Sequence, residues 1–252
     1  MAASCLVFGR NDSYSMSTEE LQALKKAEKS EVENYFNGMG FDRWNRIYSD
    51  TEDVNNVQRN IRIGHQKTVD DVLAWLKEAS DCSQISFCDA GCGVGSLCLP
   101  LAAMGAKSIA ASDISQAMVD ETKRRALDLG LDLGRFQFNT SDLESIKGSF
   151  HTVICLDVFI HYPQNQAEEM VKHLCSLSQE RLIVSFAPYT PFLAFLKRVG
   201  QFFPGPSKTT RAYTLREDGI VKAANNCGFK VKRSKLNKAP FYFSLLIEFN
   251  KA

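Results

Sequence analysis

The sequence predicts an α/β fold: an open, Rossmann-like parallel sheet with an antiparallel C-terminal edge and an N-terminal helical arm. Three observations predict it. An apolar run (Ile85, Phe87, Cys88) passes through the glycine-rich turn DAGCGVGS, Asp89 to Ser96, into an apolar helical pattern at Leu97, Leu99, Leu101 and Ala102. Short apolar strands then alternate with helical stretches as far as Phe186, the pattern of a parallel sheet covered on both faces. Beyond Phe229 the pattern changes to two strands in succession, which pair antiparallel.

Each element follows from local residues. Ser17 to Glu20 has the form of a capping box, in which serine and glutamate satisfy each other's orphan N–H groups, and it opens a charged helix to about Tyr35. Tyr35 to Asp50, YFNGMGFDRWNRIYSD, is dense in aromatics and arginines and is broken by Gly38 and Gly40. A second helix is expected after Gly64, with Val69, Val72, Leu73 and Leu76 on one face. Strands are expected at Ile85 to Cys88, Ser108 to Ser112, Phe136 to Asn139, Thr152 to Leu156 and Leu182 to Phe186. Ser115 can cap the helix after the second strand, and Gly130 ends it. In the tail, Phe229 and Val231 alternate with Lys230 and Lys232, and Phe241 to Phe249 is nearly all apolar. The expected organisation is a tail and helical arm or lid at residues 1–60. A sheet domain follows at 61–252, with an insertion around 190–215.

Bulk properties exclude several functions. In 252 residues, 30 Lys and Arg oppose 29 Asp and Glu, which argues against non-specific nucleic-acid binding as the main activity. No apolar run approaches a transmembrane span. Met1 to Ser15 contains Arg10 and several serines but no apolar segment suited to secretion, so it reads as an unstructured tail or the remnant of an organelle-targeting segment. Of the eight cysteines, Cys88, Cys98 and Cys155 sit in apolar runs, where cysteine acts as a small hydrophobe. Cys88, Cys92 and Cys98 lack zinc spacing and have no histidine nearby, so a reduced protein without a structural metal is expected. Cys92 lies inside the glycine turn, where either a small residue is needed or oxidation would disturb binding.

The glycine turn carries the chemistry. Gly91, Gly93 and Gly95 let the backbone turn sharply and present free N–H groups at the mouth of the sheet, close to a ligand. Ser96 stands where the dinucleotide fingerprint places its last glycine. Asp89 ends the first strand and Asp113 the second, where a carboxylate can accept from both hydroxyls of a ribose. Taken singly, each such Asp is equally a helix cap or turn former.

An acid at the strand end with three alternating glycines resembles the first motif of class I S-adenosylmethionine (SAM)-dependent methyltransferases. The resemblance implies that Asp89 holds the amino-acid end of SAM, Asp113 the ribose, and Ile114 the adenine face. Asp142 and Leu143 match the family's adenine pair, a carboxylate for the exocyclic amine and a backbone N–H for a ring nitrogen. The Leu156 carbonyl can meet the amino group.

Three segments narrow the resemblance: Tyr35 to Asp50, NIRIGHQKTV from Asn60 to Val69, and LDVFIHYP from Leu156 to Pro163. Together they resemble the magnesium-protoporphyrin IX methyltransferase family of chlorophyll biosynthesis, from about Glu33 to the C-terminus. The resemblance implies methyl transfer from SAM to one propionate of magnesium protoporphyrin IX, releasing S-adenosylhomocysteine (SAH). It also implies a plastid or cyanobacterial location, peripheral membrane association and contact with the large subunit of magnesium chelatase.

A propionic acid has a pKa of about 4.3, so the nucleophile is already ionised at neutral pH and needs no strong base. Orientation and removal of water then dominate. His161, just after the fourth strand, is the histidine best placed to bond the propionate or to contact the substrate's magnesium, or else it bonds a neighbouring loop. Tyr48 can close over the site and donate its hydroxyl, or pack a helix. Arg62 and His65 precede a helix near the cofactor, and Arg62 can pair with a substrate carboxylate or form a surface salt bridge. Phe192, Phe195, Phe202 and Phe203, with Lys197 and Arg198, can cover the macrocycle or touch a membrane, or simply pack a helix. Lys208, Arg211 and Tyr213 follow as further substrate candidates, and Gly38, Gly40 and Gly205 as lid hinges. Other readings are a methyltransferase for another small acid or for a phenol, the phenol alone needing His161 as a true base, a non-catalytic binding module of the same fold, and a dehydrogenase.

Overall fold

A computed structural model of the chain describes residues 18–47, 54–79, 82–190 and 213–252. Five parallel strands form its centre: β1 (Ser86–Ala90), β2 (Ser108–Asp113), β3 (Phe136–Thr140), β4 (Phe150–Leu156) and β5 (Ser178–Phe186). The tail supplies β6 (Phe229–Ala239) and β7 (Tyr242–Lys251). The order across the sheet is β3-β2-β1-β4-β5-β7-β6, with β7 antiparallel to both neighbours. Winding therefore reverses between β1 and β4, and the crevice at their carboxyl ends is where an open α/β sheet binds ligands.

Burial on both faces explains the unbroken apolar strands. Along β4, Val153 and Cys155 face one core cluster with Met170, Val171 and Leu174, whereas Ile154 and Leu156 face the other, with Val69, Val72 and Leu76. The helices on these faces are α3 (Asn56–Ala79), α4 (Cys98–Ala103), α5 (Gln116–Asp128), α6 (Gln164–Leu177) and α7 (Glu217–Asn226). Ser115 caps α5 as expected, accepting from the Met118 N–H, and Gly130 follows its end with φ +66°. Two further helices, α1 (Thr18–Asn37) and α2 (Met39–Ile47), form the arm. The capping-box side chains of α1, and the expected insertion at 191–212, lie outside the described residues.

Two expectations are corrected. The second helix does not begin after Gly64 but at Asn56, because Asn55 and Gln58 cap it reciprocally: the Asn55 Oδ1 accepts from Gln58 N at 2.9 Å and the Gln58 Oε1 from Asn55 N at 3.2 Å. Gly64 sits inside α3 because a Cβ there would meet the Tyr242 ring at 2.3 Å, so it lets β7 approach the helix. Likewise Gly40 does not break the arm; it lies within α2, where a Cβ would come 2.6 Å from Tyr35.

Candidate active site

The glycine turn is tied to β2. Gly91 N and Cys92 N both donate to the Ser112 carbonyl, at 2.7 and 2.9 Å. Gly91 has φ +89° and a Cβ there would meet Val158 at 2.2 Å, so only glycine fits. Gly93, at φ +52°, has no atom within 4 Å of an added Cβ; open space lies in front of it. Its N–H donates to Asp113 Oδ2 at 2.9 Å, and its carbonyl accepts from Thr122 Oγ1 at 2.7 Å.

The acids line up along the crevice. Asp113 Oδ1 also accepts from Ser115 N at 2.9 Å, and burial raises its pKa against the pull of these N–H groups. Ile114 beside it is half-buried. Asp89 is almost fully buried, and burial pushes its carboxyl up to about 7 despite the Cys98 N–H at 3.1 Å on Oδ2. Asp142 receives Ser145 N at 2.8 Å and Lys29 Nζ at 3.2 Å. Burial opposes its ionisation, but these two donors hold its pKa below the ordinary carboxylate value. Leu143 and Leu156 are buried beside the acids. Lys29 belongs to α1, whose end is anchored where Ser115 Oγ donates to Phe36 O at 3.0 Å and Asn37 Oδ1 at 2.8 Å. The arm thus reaches both Asp142 and Ser115, whose N–H donates to Asp113.

Sequence reasoning missed Asp157, the residue following β4. Its carboxylate accepts from Ser185 Oγ and Ser244 Oγ on Oδ1, and from Tyr242 OH on Oδ2, each at 2.6 Å. His65 Nδ1 lies 2.9 Å from the same Oδ2, and His65 Nε2 lies 3.0 Å from Ser96 Oγ. A clamp therefore runs from the end of β4, through His65 on α3, to the last residue of the glycine turn. Desolvation would raise the Asp157 pKa, but His65, Ser185 and Ser244 outweigh it and hold the carboxyl at about 2. Asp157 also has φ +58°, a left-handed conformation that Asp tolerates better than most residues. The rule that singled out Asp89 and Asp113, an acid at the carboxyl end of a strand, would have found it.

His161 lies four residues further on, in a short turn at Phe159–His161 where its N–H donates to the Val158 carbonyl at 3.1 Å. Its ring meets the edge of Phe36 from the arm at 5.1 Å and 82°. Its Nδ1 is buried without a hydrogen-bond partner among the described residues. Burial lowers its pKa to about 4, with the Asp157 charge opposing, so the imidazole is neutral at pH 7.

Arg62 and His65, expected at the substrate, are instead bonded within the protein. Arg62 Nε donates to the Ile47 carbonyl and Nη2 to the Arg46 carbonyl at 3.0 Å, closing the C-terminus of α2. His65 is buried in the clamp. Tyr48 and Arg211 lie outside the described residues. Among the described residues no group of three His, Cys, Asp or Glu side chains is placed to hold a metal.

Comparison with known proteins agrees with this geometry. A family model described as magnesium-protoporphyrin IX methyltransferase C-terminus matches residues 155–251, and a methyltransferase domain model matches 87–180. Among relatives, the chain is 48% identical to the chloroplastic magnesium protoporphyrin IX methyltransferase of Arabidopsis thaliana over 88% of this chain and 70% of that one. It is 49% identical to the magnesium-protoporphyrin O-methyltransferase of Synechocystis, over 88% of this chain and 95% of that one. The crystal structure of magnesium protoporphyrin IX methyltransferase from Synechocystis PCC 6803 with bound SAH superposes with a TM-score of 0.82 at 46% identity, covering 89% of this chain and 100% of that one. Sheet order, glycine turn and near-complete coverage lead to one conclusion: the chain belongs to the magnesium-protoporphyrin IX methyltransferase family and has its SAM-dependent class I fold.

Proposed function

We propose that this chain methylates one propionate of magnesium protoporphyrin IX, with SAM as donor and SAH as product. The observation that carries the reading is the 48–49% identity, across 88% of the chain, to proteins named for that reaction. SAM suits the crevice: space is open in front of Gly93, and acids stand at the carboxyl ends of β1 and β2 and just past β3. The N–H groups of Gly91, Gly93 and Gly95, expected to be free, instead donate to Ser112 O, Asp113 Oδ2 and Cys92 O, so the turn would receive the amino-acid end of SAM by close approach of its backbone, together with Asp89 and the Leu156 carbonyl. Asp113 would take the ribose, Ile114 the adenine face, and Asp142 with the Leu143 N–H the adenine edge.

When bound, SAM supplies an electrophilic methyl on a positively charged sulfur. The propionate oxygen bonds to that carbon as the sulfur–carbon bond breaks; anion and sulfonium become ester and thioether, and no proton moves. The chain therefore needs no base, in keeping with a His161 ring that burial keeps neutral. Its protonated nitrogen donates to the propionate and aims one oxygen at the methyl, while Phe36 and the arm exclude water from the anion. The Asp157–His65–Ser96 clamp holds the glycine turn in register with the β4 end that carries His161. Tyr48 over the site and Arg211 toward a propionate complete the reading on the strength of the family resemblance.

The same reading includes a plastid or cyanobacterial location, matching the chloroplastic and Synechocystis relatives. It also includes a peripheral seat on a membrane and contact with the large subunit of magnesium chelatase, both supported by the family resemblance. No helix among the described residues is long and apolar enough to cross a membrane. Incubation with SAM and either magnesium protoporphyrin or its metal-free form, with product identification, tests the activity. A monomethyl ester of the magnesium form is expected, and ester formation with neither porphyrin refutes the proposal.

A further inference from the structure

We propose that Phe241 is a substrate contact, its ring forming part of the platform that receives the flat face of the macrocycle. This rests on the substrate reading above. The β6–β7 hairpin pairs Ala239 with Tyr242, leaving a two-residue loop, Pro240–Phe241. Proline fixes φ near −65°, and Phe241 has φ +63°. That combination belongs to a type II turn, whose second central position takes glycine or asparagine, whereas two-residue hairpins ordinarily select the mirror-image turns. A bulky aromatic in this conformation is strained. Nor does burial compensate: Phe241 is 70% exposed, the highest value among the exposed large hydrophobics of the described residues.

Its position supplies the missing reason. The next residue, Tyr242, donates to Asp157 at 2.6 Å, so the hairpin tip stands at the carboxyl end of β4, the end that leads into the His161 turn. Two other exposed apolar side chains occupy the same end of the sheet. Tyr189, just past β5, is 52% exposed. Ile63, next to the glycine that packs on Tyr242, is 44% exposed. A tetrapyrrole is flat, apolar on both faces and charged only at its propionates, so an exposed aromatic face beside the methyl-transfer end suits it.

The test uses Phe241→Gly, which removes the ring and accepts the turn, and Phe241→Trp, which keeps an aromatic face. For Phe241→Gly, Tm stays at or rises about 2 °C above wild type, SAM affinity is unchanged, and KM for magnesium protoporphyrin rises about tenfold with kcat within about twofold. Phe241→Trp keeps KM within about threefold. An unchanged KM in Phe241→Gly overturns the proposal, and so does a fall in Tm of more than about 4 °C, which would show the ring holding the hairpin. If wild type itself methylates no porphyrin, the substrate reading falls and this contact falls with it, a failure visible before any variant is made.

Discussion

Replacing Asp157 with asparagine keeps the side chain's shape while removing its charge and turning one acceptor into a donor. Four groups point donors or a ring nitrogen at the native carboxylate: His65, Tyr242, Ser185 and Ser244. Their summed effect, net of desolvation, takes its pKa from 3.8 to about 2, which corresponds to about 2 kcal/mol in favour of the charged folded form. The side chain is only 17% exposed, so solvent screens little of this. The amide of Asp157→Asn additionally deprives of their acceptor the two groups that faced the replaced oxygen, so a loss of about 2–4 kcal/mol is expected, or about 5–12 °C in Tm for a chain of this length. The sign with pH is fixed. Because the folded pKa is depressed, the stabilisation is fully present above about pH 4 and disappears as pH falls towards 2. Denaturant unfolding of wild type and Asp157→Asn at pH 7, 4 and 3 measures both. The gap between them should narrow with acid, and SAM affinity at pH 7 should weaken because the His65–Ser96 tie loosens. A variant within about 0.5 kcal/mol of wild type at pH 7, or a gap that does not narrow, refutes the clamp.

Four further outcomes are expected. His161→Ala should lower kcat about 100-fold while SAM affinity stays within about threefold, and equal loss of both would reassign the residue. At saturating SAM, wild-type kcat should show no limb near pH 6.5, because the His161 pKa lies at about 4. Asp89 is held protonated up to about pH 7, and only its ionised form pairs with the ammonium of SAM, so SAM affinity should rise roughly tenfold from pH 6 to 8. Calorimetry on Asp89→Asn should find that slope flattened. Gly64→Ala, ordinarily a stabilising change inside a helix, should instead cost about 1–3 kcal/mol, since its Cβ would press on a Tyr242 ring held by Asp157 and Thr68. Thermal unfolding reads the sign directly.

Most of the sheet is legible in the sequence because strands buried on both faces form apolar runs bounded by glycine, serine and aspartate. Expected boundaries fall short where polar residues continue the ladder, as at Ser178 and Arg181, which are buried and pair with β4 without an apolar signal. Glycine misleads twice for one reason: Gly40 and Gly64 read as breaks, yet each makes room for a tyrosine distant from its own turn of helix. Asp89, Asp113 and Asp142 are legible because each announces itself at a strand end. Asp157 does the same, but its meaning depends on Tyr242 and Ser244, 85 and 87 residues later, and no local pattern reveals that pairing. The position of His65 is legible; its partners are not, and the structure ties it to Asp157 at the end of β4 and to Ser96 at the end of the glycine turn.

The reversed direction of β7 matters during synthesis. Because that strand starts at the catalytic end of the sheet, Tyr242 and Ser244 reach Asp157 only once the closing hairpin has folded back on β5. A nascent chain with its first five strands assembled still leaves this carboxylate short of two of its donors. The brace between the end of β4 and the glycine turn is thus completed by the last strand of the chain.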